Sequence, residues 1–271
     1  MTREHIPLRS RPSHAGPSHR STTPTLHAFV GGLLALVVAG VFDPVRLVAQ
    51  ESDFLFRVPR VTFAFHGGFH RAGADSEVFD FTTRNLTVGR RDFDAIAFRG
   101  ELSVRISPRI DIALDVGRSK SETTSETRDF IGTDGLPIVQ ETSLTQVPIA
   151  VTGKYYLRPR GESVGQFAWI PRRWSVYVGG GVGFANYTFE QNGEFVVEET
   201  LEIVEDRLKS SSTGALGHLV GGVELSVTPR TLLIVDGRYR WATADMNDDW
   251  AGFEDIDLSG FSFSLGIGVR L

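Results

Sequence analysis

The stretch FSFSLGIGVRL, residues 261–271, alternates without a break: Phe261, Phe263, Leu265, Ile267, Val269 and Leu271 stand against Ser262, Ser264, Gly266, Gly268 and Arg270. A period of two puts every large apolar side chain on one face of an extended strand and every small or charged one on the other. The pattern recurs at 96–106, where Ile96, Phe98, Leu102, Val104 and Ile106 alternate with Ala97, Arg99, Glu101, Ser103 and Arg105. It recurs again at 110–116, where Ile110, Ile112, Leu114 and Val116 alternate with Asp111, Ala113 and Asp115. No segment after residue 50 carries a sustained apolar stripe at helical spacing. Eight strands are expected, at roughly 60–70, 94–106, 109–123, 143–157, 174–189, 213–227, 231–243 and 258–271.

The connections differ at the two ends. Ser107-Pro108-Arg109 and Thr228-Pro229-Arg230 are tight turns, because proline fixes φ and cannot continue a ladder. The connection 158–173 (RPRGESVGQFAWIPRR) is longer and basic, while 71–93, 124–142, 190–212 and 244–257 are long and polar. Short turns at one end and long loops at the other, with an even number of strands, fit an up-and-down antiparallel transmembrane β-barrel. A soluble β-sandwich shares the alternation. The barrel is preferred because the polar face is mostly Gly, Ala, Ser and Thr among charges, which suits a narrow lumen. The other face is large and aliphatic or aromatic, as lipid contact requires. Tyr155, Trp174, Tyr239 and Trp241 lie near strand ends and read as an aromatic girdle. Asp134-Gly135 and Asn192-Gly193 are hairpin-turn dipeptides. A strand needs only about 9–11 residues to cross a bilayer, so the third to sixth strands are expected to turn at these dipeptides and project past it as a ribbon.

Residues 1–27 carry Arg3, Arg9, Arg11 and Arg20, and an unbroken apolar run follows from Ala28 to Phe42. The run is short for a spanning helix, which needs about 20 residues, and fits a secretory signal peptide over 1–50, cleaved near Val48-Ala49-Gln50. An uncleaved anchor and a start codon assigned too early are the alternatives. Residues 51–271 then form the barrel domain. The whole chain has 28 Lys+Arg and 33 Asp+Glu, a net charge of −5. Residues 1–50 hold five bases and two acids, so the remainder has 23 against 31, a net −8. That balance offers no basic surplus for nucleic acid. No cysteine is present, which removes disulfides, thiolate metal sites and thiol nucleophiles. A mean hydropathy of −0.06 excludes a bundle of membrane helices but not a barrel, where half of each strand is polar.

The stretch Tyr177-Val178-Gly179-Gly180-Gly181-Val182-Gly183-Phe184, the hairpin around Thr228-Pro229-Arg230 and the terminal strand resemble the outer-membrane protein β-barrel domain family, which groups with OmpA-, OmpX- and OmpW-like small porin-family barrels. Ser264, Gly266, Val269 and Leu271 look like the C-terminal insertion signal of such proteins, although the family usually ends in an aromatic and this chain ends in leucine. The resemblance implies a monomer exported to the outer membrane of a Gram-negative-type bacterium. Its partners would be outer-membrane lipids, lipopolysaccharide and the barrel assembly machinery.

By alternation the lumen should hold Arg99, Glu101, Arg105, Asp111, Asp115, Lys154, Glu224, Asp236, Arg238, Arg240 and Arg270, five acids and six bases. Near-balance implies ion pairs across the bore, since single buried charges are costly. His66 and His218 are expected to face inward as well. The loops are acidic: Glu190, Glu194, Glu198, Glu199, Glu202, Glu205 and Asp206 crowd one, and Asp245, Asp248, Asp249, Glu254, Asp255 and Asp257 another. No twelve-residue calcium loop is present, and solvated loops explain the charge. No serine or histidine falls at triad spacing, and Gly179 to Gly183 open no helix, so neither a catalytic residue, a metal nor a cofactor is expected. The reading is a non-catalytic surface barrel serving envelope integrity or adhesion, with an external ligand at loops 124–142 and 190–212. The alternative is a narrow porin-like channel for small solutes.

Overall fold

The structure, a computed structural model, describes residues 54–132, 135–165, 167–197, 202–250 and 252–271. The expected signal peptide and cleavage site, and Asp134, Glu198 and Glu199, lie outside these residues. Eight long strands appear where alternation placed them: β1 (Val61–Ala72), β2 (Ala95–Ser107), β3 (Ile110–Ile131), β4 (Pro137–Tyr156), β7 (Trp174–Val197), β8 (Glu202–Ser226), β9 (Thr231–Ala244) and β11 (Gly260–Arg270). Between them lie short strands β5 (Gly161–Val164), β6 (Ala168–Pro171) and β10 (Ile256–Asp257). Each long strand pairs antiparallel with the next, and β11 returns to β1 with Phe63 opposite Val269 and Phe69 opposite Phe263. The sheet is therefore a closed ring with no free edge in its middle. Closure satisfies every ladder group internally, which a lipid environment demands.

The outward face is a belt of large apolar side chains on all eight strands. Phe65, Phe98, Leu114, Val151, Val182, Leu219, Val235 and Leu265 are each between 38% and 72% exposed. A soluble monomer rarely shows a contiguous apolar patch beyond a few hundred Å². A belt that encircles a closed barrel with a polar interior is the surface of a membrane-spanning, outer-membrane-type barrel. The inward positions are small where neighbouring strands approach. A Cβ on Gly181 would lie 2.3 Å from the Val151 carbonyl oxygen.

Three connections depart from the sequence expectation. The first polar loop contains a helix, α1 (Glu77–Asn85), which buries Val78, Phe79 and Thr82. Nine residues are too few for helical periodicity to stand out. Glu77 and Asp80 lie in its first turn and Arg84 in its last, each on the side of the helix dipole that favours its charge. Beyond it Arg90 bonds Asp80 at 2.8 Å and Asp75 at 3.0 Å, and these hydrogen bonds raise its pKa above the ordinary value.

The second departure is at Asn192-Gly193, where no turn occurs. β7 runs straight through, with Asn192 opposite Arg207 and Gly193 opposite Asp206 in β8, and with Glu141 and Gln140 of β4 on the other side. Ladders on both sides override the local turn preference, and Gly193 accommodates the register at φ +144°. The other dipeptide fares differently: Gly135 sits at φ +80° in a turn closed by Gly132 N–H to the Leu136 carbonyl at 2.8 Å.

The third departure is the connection 158–173. It folds as the β5–β6 hairpin, and Trp169 bridges to Leu55 through two backbone hydrogen bonds of 2.8 and 2.9 Å.

Candidate functional site: a closed lumen beneath a projecting ribbon

The alternation of each strand sends all eleven charged residues expected in the lumen to the inside, and places His66 and His218 there too. They fall into layers. In the middle layer Arg99 of β2 reaches Asp236 of β9 at 2.5 Å and Asp115 of β3 at 3.6 Å, and Arg238 bonds Asp115 at 3.1 Å. Asp236 also accepts from the Ser264 hydroxyl at 2.7 Å and the Tyr177 hydroxyl at 3.2 Å. Lys154 pairs with Glu101, which accepts from Ser103 at 2.7 Å as well. Thr152 donates to Asp115 and contacts His218 Nε2 at 3.0 Å. His66 is enclosed at this level, with Arg99 2.9 Å from its Nδ1. Desolvated ion pairs are best kept when their remaining lone pairs and protons are also met. Here the hydroxyls of Ser103, Thr152, Tyr177 and Ser264 serve the carboxylates, while Glu101 Oε2 and the Nε–H groups of Arg99 and Arg238 have no hydrogen-bond partner among the described residues.

At the turn end, Asp111 and Glu224 share Arg160, at 2.8 and 4.0 Å, and Tyr156 donates to Glu224 at 2.5 Å. Arg270 lies 3.9 Å from Glu224 and donates to Ser226 at 3.0 Å. Beneath them Trp169, 1% exposed, lies under two guanidiniums: Arg270 at 5.3 Å from its ring centroid and Arg105 at 5.8 Å. The β5–β6 hairpin thus caps this mouth. Stacking of arginine on indole supplies attraction where the charges have left water.

At the loop end the bore is filled by apolar side chains. Phe79 of α1 packs edge-on to Phe93 at 4.7 Å and to Phe189 at 6.0 Å, and Phe189 meets Trp250 at 5.1 Å. Val88, Leu144, Leu216, Ala244 and Leu258 belong to the same cluster. Arg240 lies just below it, bonded to Gln146, His70 and the Leu258 carbonyl.

Sequence reading missed Arg160, His70, Tyr156 and Tyr177. The two tyrosines and His70 sit at inward parity on β4, β7 and β1, so the alternation that found their neighbours would have found them. Arg160 comes from an aperiodic connection and left no signal. With it, seven bases (Arg99, Arg105, Lys154, Arg160, Arg238, Arg240 and Arg270) face five acids (Glu101, Asp111, Asp115, Glu224 and Asp236), which corrects the expected near-balance.

The aromatics expected as a girdle are outward: Tyr155 and Trp174 at the turn end, Tyr239 and Trp241 further along. Of the residues read as an insertion signal, Val269 and Leu271 face outward and Ser264 and Gly266 inward. Ser264 holds Asp236, and a Cβ on Gly266 would fall 2.6 Å from His66 Nδ1. Both positions therefore also serve the wall. Arg60, Arg109, Arg173 and Arg230 each precede the first residue of β1, β3, β7 and β9, all exposed, and ring the turn end.

Beyond the belt, β3, β4, β7 and β8 continue as a four-stranded ribbon. Pairing runs to Glu126 opposite Val139 and, past a register shift, to Ile131 opposite Pro137 in one hairpin, and to Val197 opposite Glu202 in the other. Exposed Phe130, Ile131 and Leu136 mark one tip. Glu194 lies opposite Glu205, and Glu190 pairs with Arg207 at 2.6 Å. Among the described residues β8 pairs with β9 only from Leu216 to Ser226, so 202–208 has no strand on that side. Among the described residues, too, no group of His, Asp and Glu is arranged to hold a metal ion.

No family model and no curated protein matches the chain. Solved structures do. Neisserial surface protein A is 14% identical over 81% of this chain and 98% of its own, with a TM-score of 0.45. The outer membrane protein OprG from Pseudomonas aeruginosa is 14% identical over 80% and 99%, with a TM-score of 0.41. The attachment invasion locus protein of Yersinia pestis is 7% identical over 79% and 100%, with a TM-score of 0.40. The likeness lies in the barrel, whose assignment rests on the strand pairing described above.

Proposed function

We propose that the protein is a monomeric, non-catalytic outer-membrane barrel that anchors a binding surface, exposed outside the cell, and does not conduct solute. The observation that carries this reading is the closed bore: an ion-paired middle layer, a tryptophan cap at the turn end and an apolar core at the loop end. The turn end, with its exposed arginine ring beside Tyr155 and Trp174, suits the periplasmic leaflet, where guanidinium meets lipid phosphate. The assembly machinery and the outer-membrane lipids, lipopolysaccharide included, are the envelope partners this reading requires.

The working surface is the ribbon built from 124–142 and 190–212. Its free edge at 202–208 offers backbone groups to a partner's strand, and the exposed Phe130, Ile131 and Leu136 offer apolar contact. Its carboxylates favour a partner with basic groups. A role in envelope integrity would need the belt alone.

The test is single-channel recording of the refolded protein in a planar bilayer, beside binding of cells bearing the protein to surface-immobilised basic proteins. A silent bilayer, with binding lost when the two ribbon tips are shortened, is the expected result. Discrete openings that change in Arg238→Ala would sink it and make the lumen a narrow solute path instead.

A further inference from the structure

A cavity of about 70 Å³ lies inside the bore, between the ion-paired middle layer and the apolar core of the loop end. Four arginines and one carboxylate line it: Arg99, Arg238, Arg240 and Asp115 from the inward face, and Arg118 from an exposed, outward position on β3. Asp115 is already engaged by both Arg99 and Arg238. Of the other acids at this level, Asp236 is engaged by Arg99 and Glu101 by Lys154. Four inward bases, Arg99, Lys154, Arg238 and Arg240, against three acids, Asp115, Asp236 and Glu101, leave one positive charge over.

That charge sits on Arg240. Its hydrogen-bond partners are all neutral: the Gln146 side-chain oxygen, the Leu258 carbonyl at 3.2 Å and His70 Nε2 at 3.1 Å. The imidazole is the acceptor in that last contact, because guanidinium can only donate, and its Nδ1–H is left to donate to Ser262 at 3.0 Å. Arg240 is 8% exposed, and Arg238 projects from the same face of β9 two residues away. The Nε–H of Arg238 is buried without a hydrogen-bond partner among the described residues. Arginine does not shed its proton to escape burial. Asp257 on the adjoining β10 acts on this charge from a distance, and among the described residues no carboxylate forms an ion pair with it. A buried charge without a paired counter-charge costs several kcal/mol, so a counter-ion is favoured where there is room for one.

We propose that this cavity binds a small monovalent inorganic anion of chloride size, held by Arg238 and Arg240. A single surplus charge matches a monovalent ion. The cavity volume is a little over twice the roughly 30 Å³ that a water molecule occupies in the liquid, enough for an ion of that size and a water. The remaining wall includes Ser119, Ser262, Ser264 and His218 as well as Ala150 and Leu216, so it is the size of the cavity, and not its lining, that favours a small ion. The ion would complete the electrostatics of the layer that closes the bore.

Two measurements on the whole protein test this. The first is the midpoint of heat-induced unfolding in detergent, in sodium chloride against sodium gluconate at equal ionic strength. A bound ion raises the midpoint with the logarithm of its concentration above the dissociation constant. The wild type should therefore unfold at higher temperature in chloride, and Arg240→Met should unfold at the same temperature in both salts. The second needs no variant: crystals grown in bromide should show an anomalous peak inside the bore beside Arg238 and Arg240. Equal midpoints for the wild type, a chloride increment that persists in Arg240→Met, or a bore free of bromide would each overturn the proposal in favour of water filling the cavity.

Discussion

Arg99 Nη2 lies 2.5 Å from Asp236 Oδ2, and this contact ties β2 to β9 across a bore whose wall separates them by two further strands, β1 and β11. The pair does what ladder hydrogen bonds cannot, since those join only neighbours. It fixes the cross-section, and with Asp115 and Arg238 it fills the middle of the lumen. Burial makes the two members unequal to lose. Removing the arginine strands a carboxylate that keeps only Ser264 and Tyr177 as donors.

Arg99→Met should cost about 3–5 kcal/mol, the usual penalty for leaving one member of a buried pair alone. The double variant Arg99→Met, Asp236→Leu should recover much of that loss, because it removes both desolvated charges. Urea unfolding of the protein in lipid vesicles, followed by tryptophan fluorescence, reads both values. A double variant as unstable as the single one would show that the cost lies in packing and not in the stranded charge.

Trp169 stands in a different relation to the lumen. It caps the turn end through two stacked guanidiniums and a backbone bridge to Leu55. Trp169→Ala should therefore loosen the hairpin and leave the bore shut. Truncating a buried tryptophan costs about 3–5 kcal/mol, so protease should cut within 158–173 in the variant and spare the wild type. Planar-bilayer recordings of the variant should stay silent. A steady conductance from Trp169→Ala alone would mean that the cap, not the ion-paired layer, is the seal.

The barrel was legible because its rule is local. Inward and outward positions follow from parity, and one strand such as 261–271 teaches the rule for all eight. The lumen charges were legible for the same reason: Asp111, Asp115, Asp236, Arg238 and Arg240 each sit an even number of residues apart on their strand. What escaped obeys no period. Arg160 enters the bore from an irregular connection, and its arrival turns a near-balance of charge into a surplus of bases. Phe79 turns inward on a helix of nine residues, too short to show a stripe. Asn192-Gly193 carries a real local preference for a turn, but β4 and β8 pair with β7 on both sides of it. Two ladders outweigh one dipeptide. The sequence could state the preference and not the competition.

The glycines separate lumen from lipid by the same parity, and this gives the sharpest test of which face is which. Gly181 points inward, and a Cβ there would lie 2.3 Å from the Val151 carbonyl oxygen and 2.7 Å from His218 Cε1. Backbone cannot retreat from that contact without breaking the β4–β7 ladder. Gly100 and Gly217 point outward, and a Cβ on either meets nothing within 4 Å. Gly181→Ala should therefore cost about 1–3 kcal/mol or more through overpacking and lower the yield of the heat-resistant folded band on unboiled gels. Gly100→Ala and Gly217→Ala should fold like the wild type, each adding a methyl that faces lipid and lowers the backbone freedom of the unfolded chain. If Gly217→Ala failed to fold while Gly181→Ala folded normally, the inward and outward faces would have to be exchanged, and the ion-paired lumen with them.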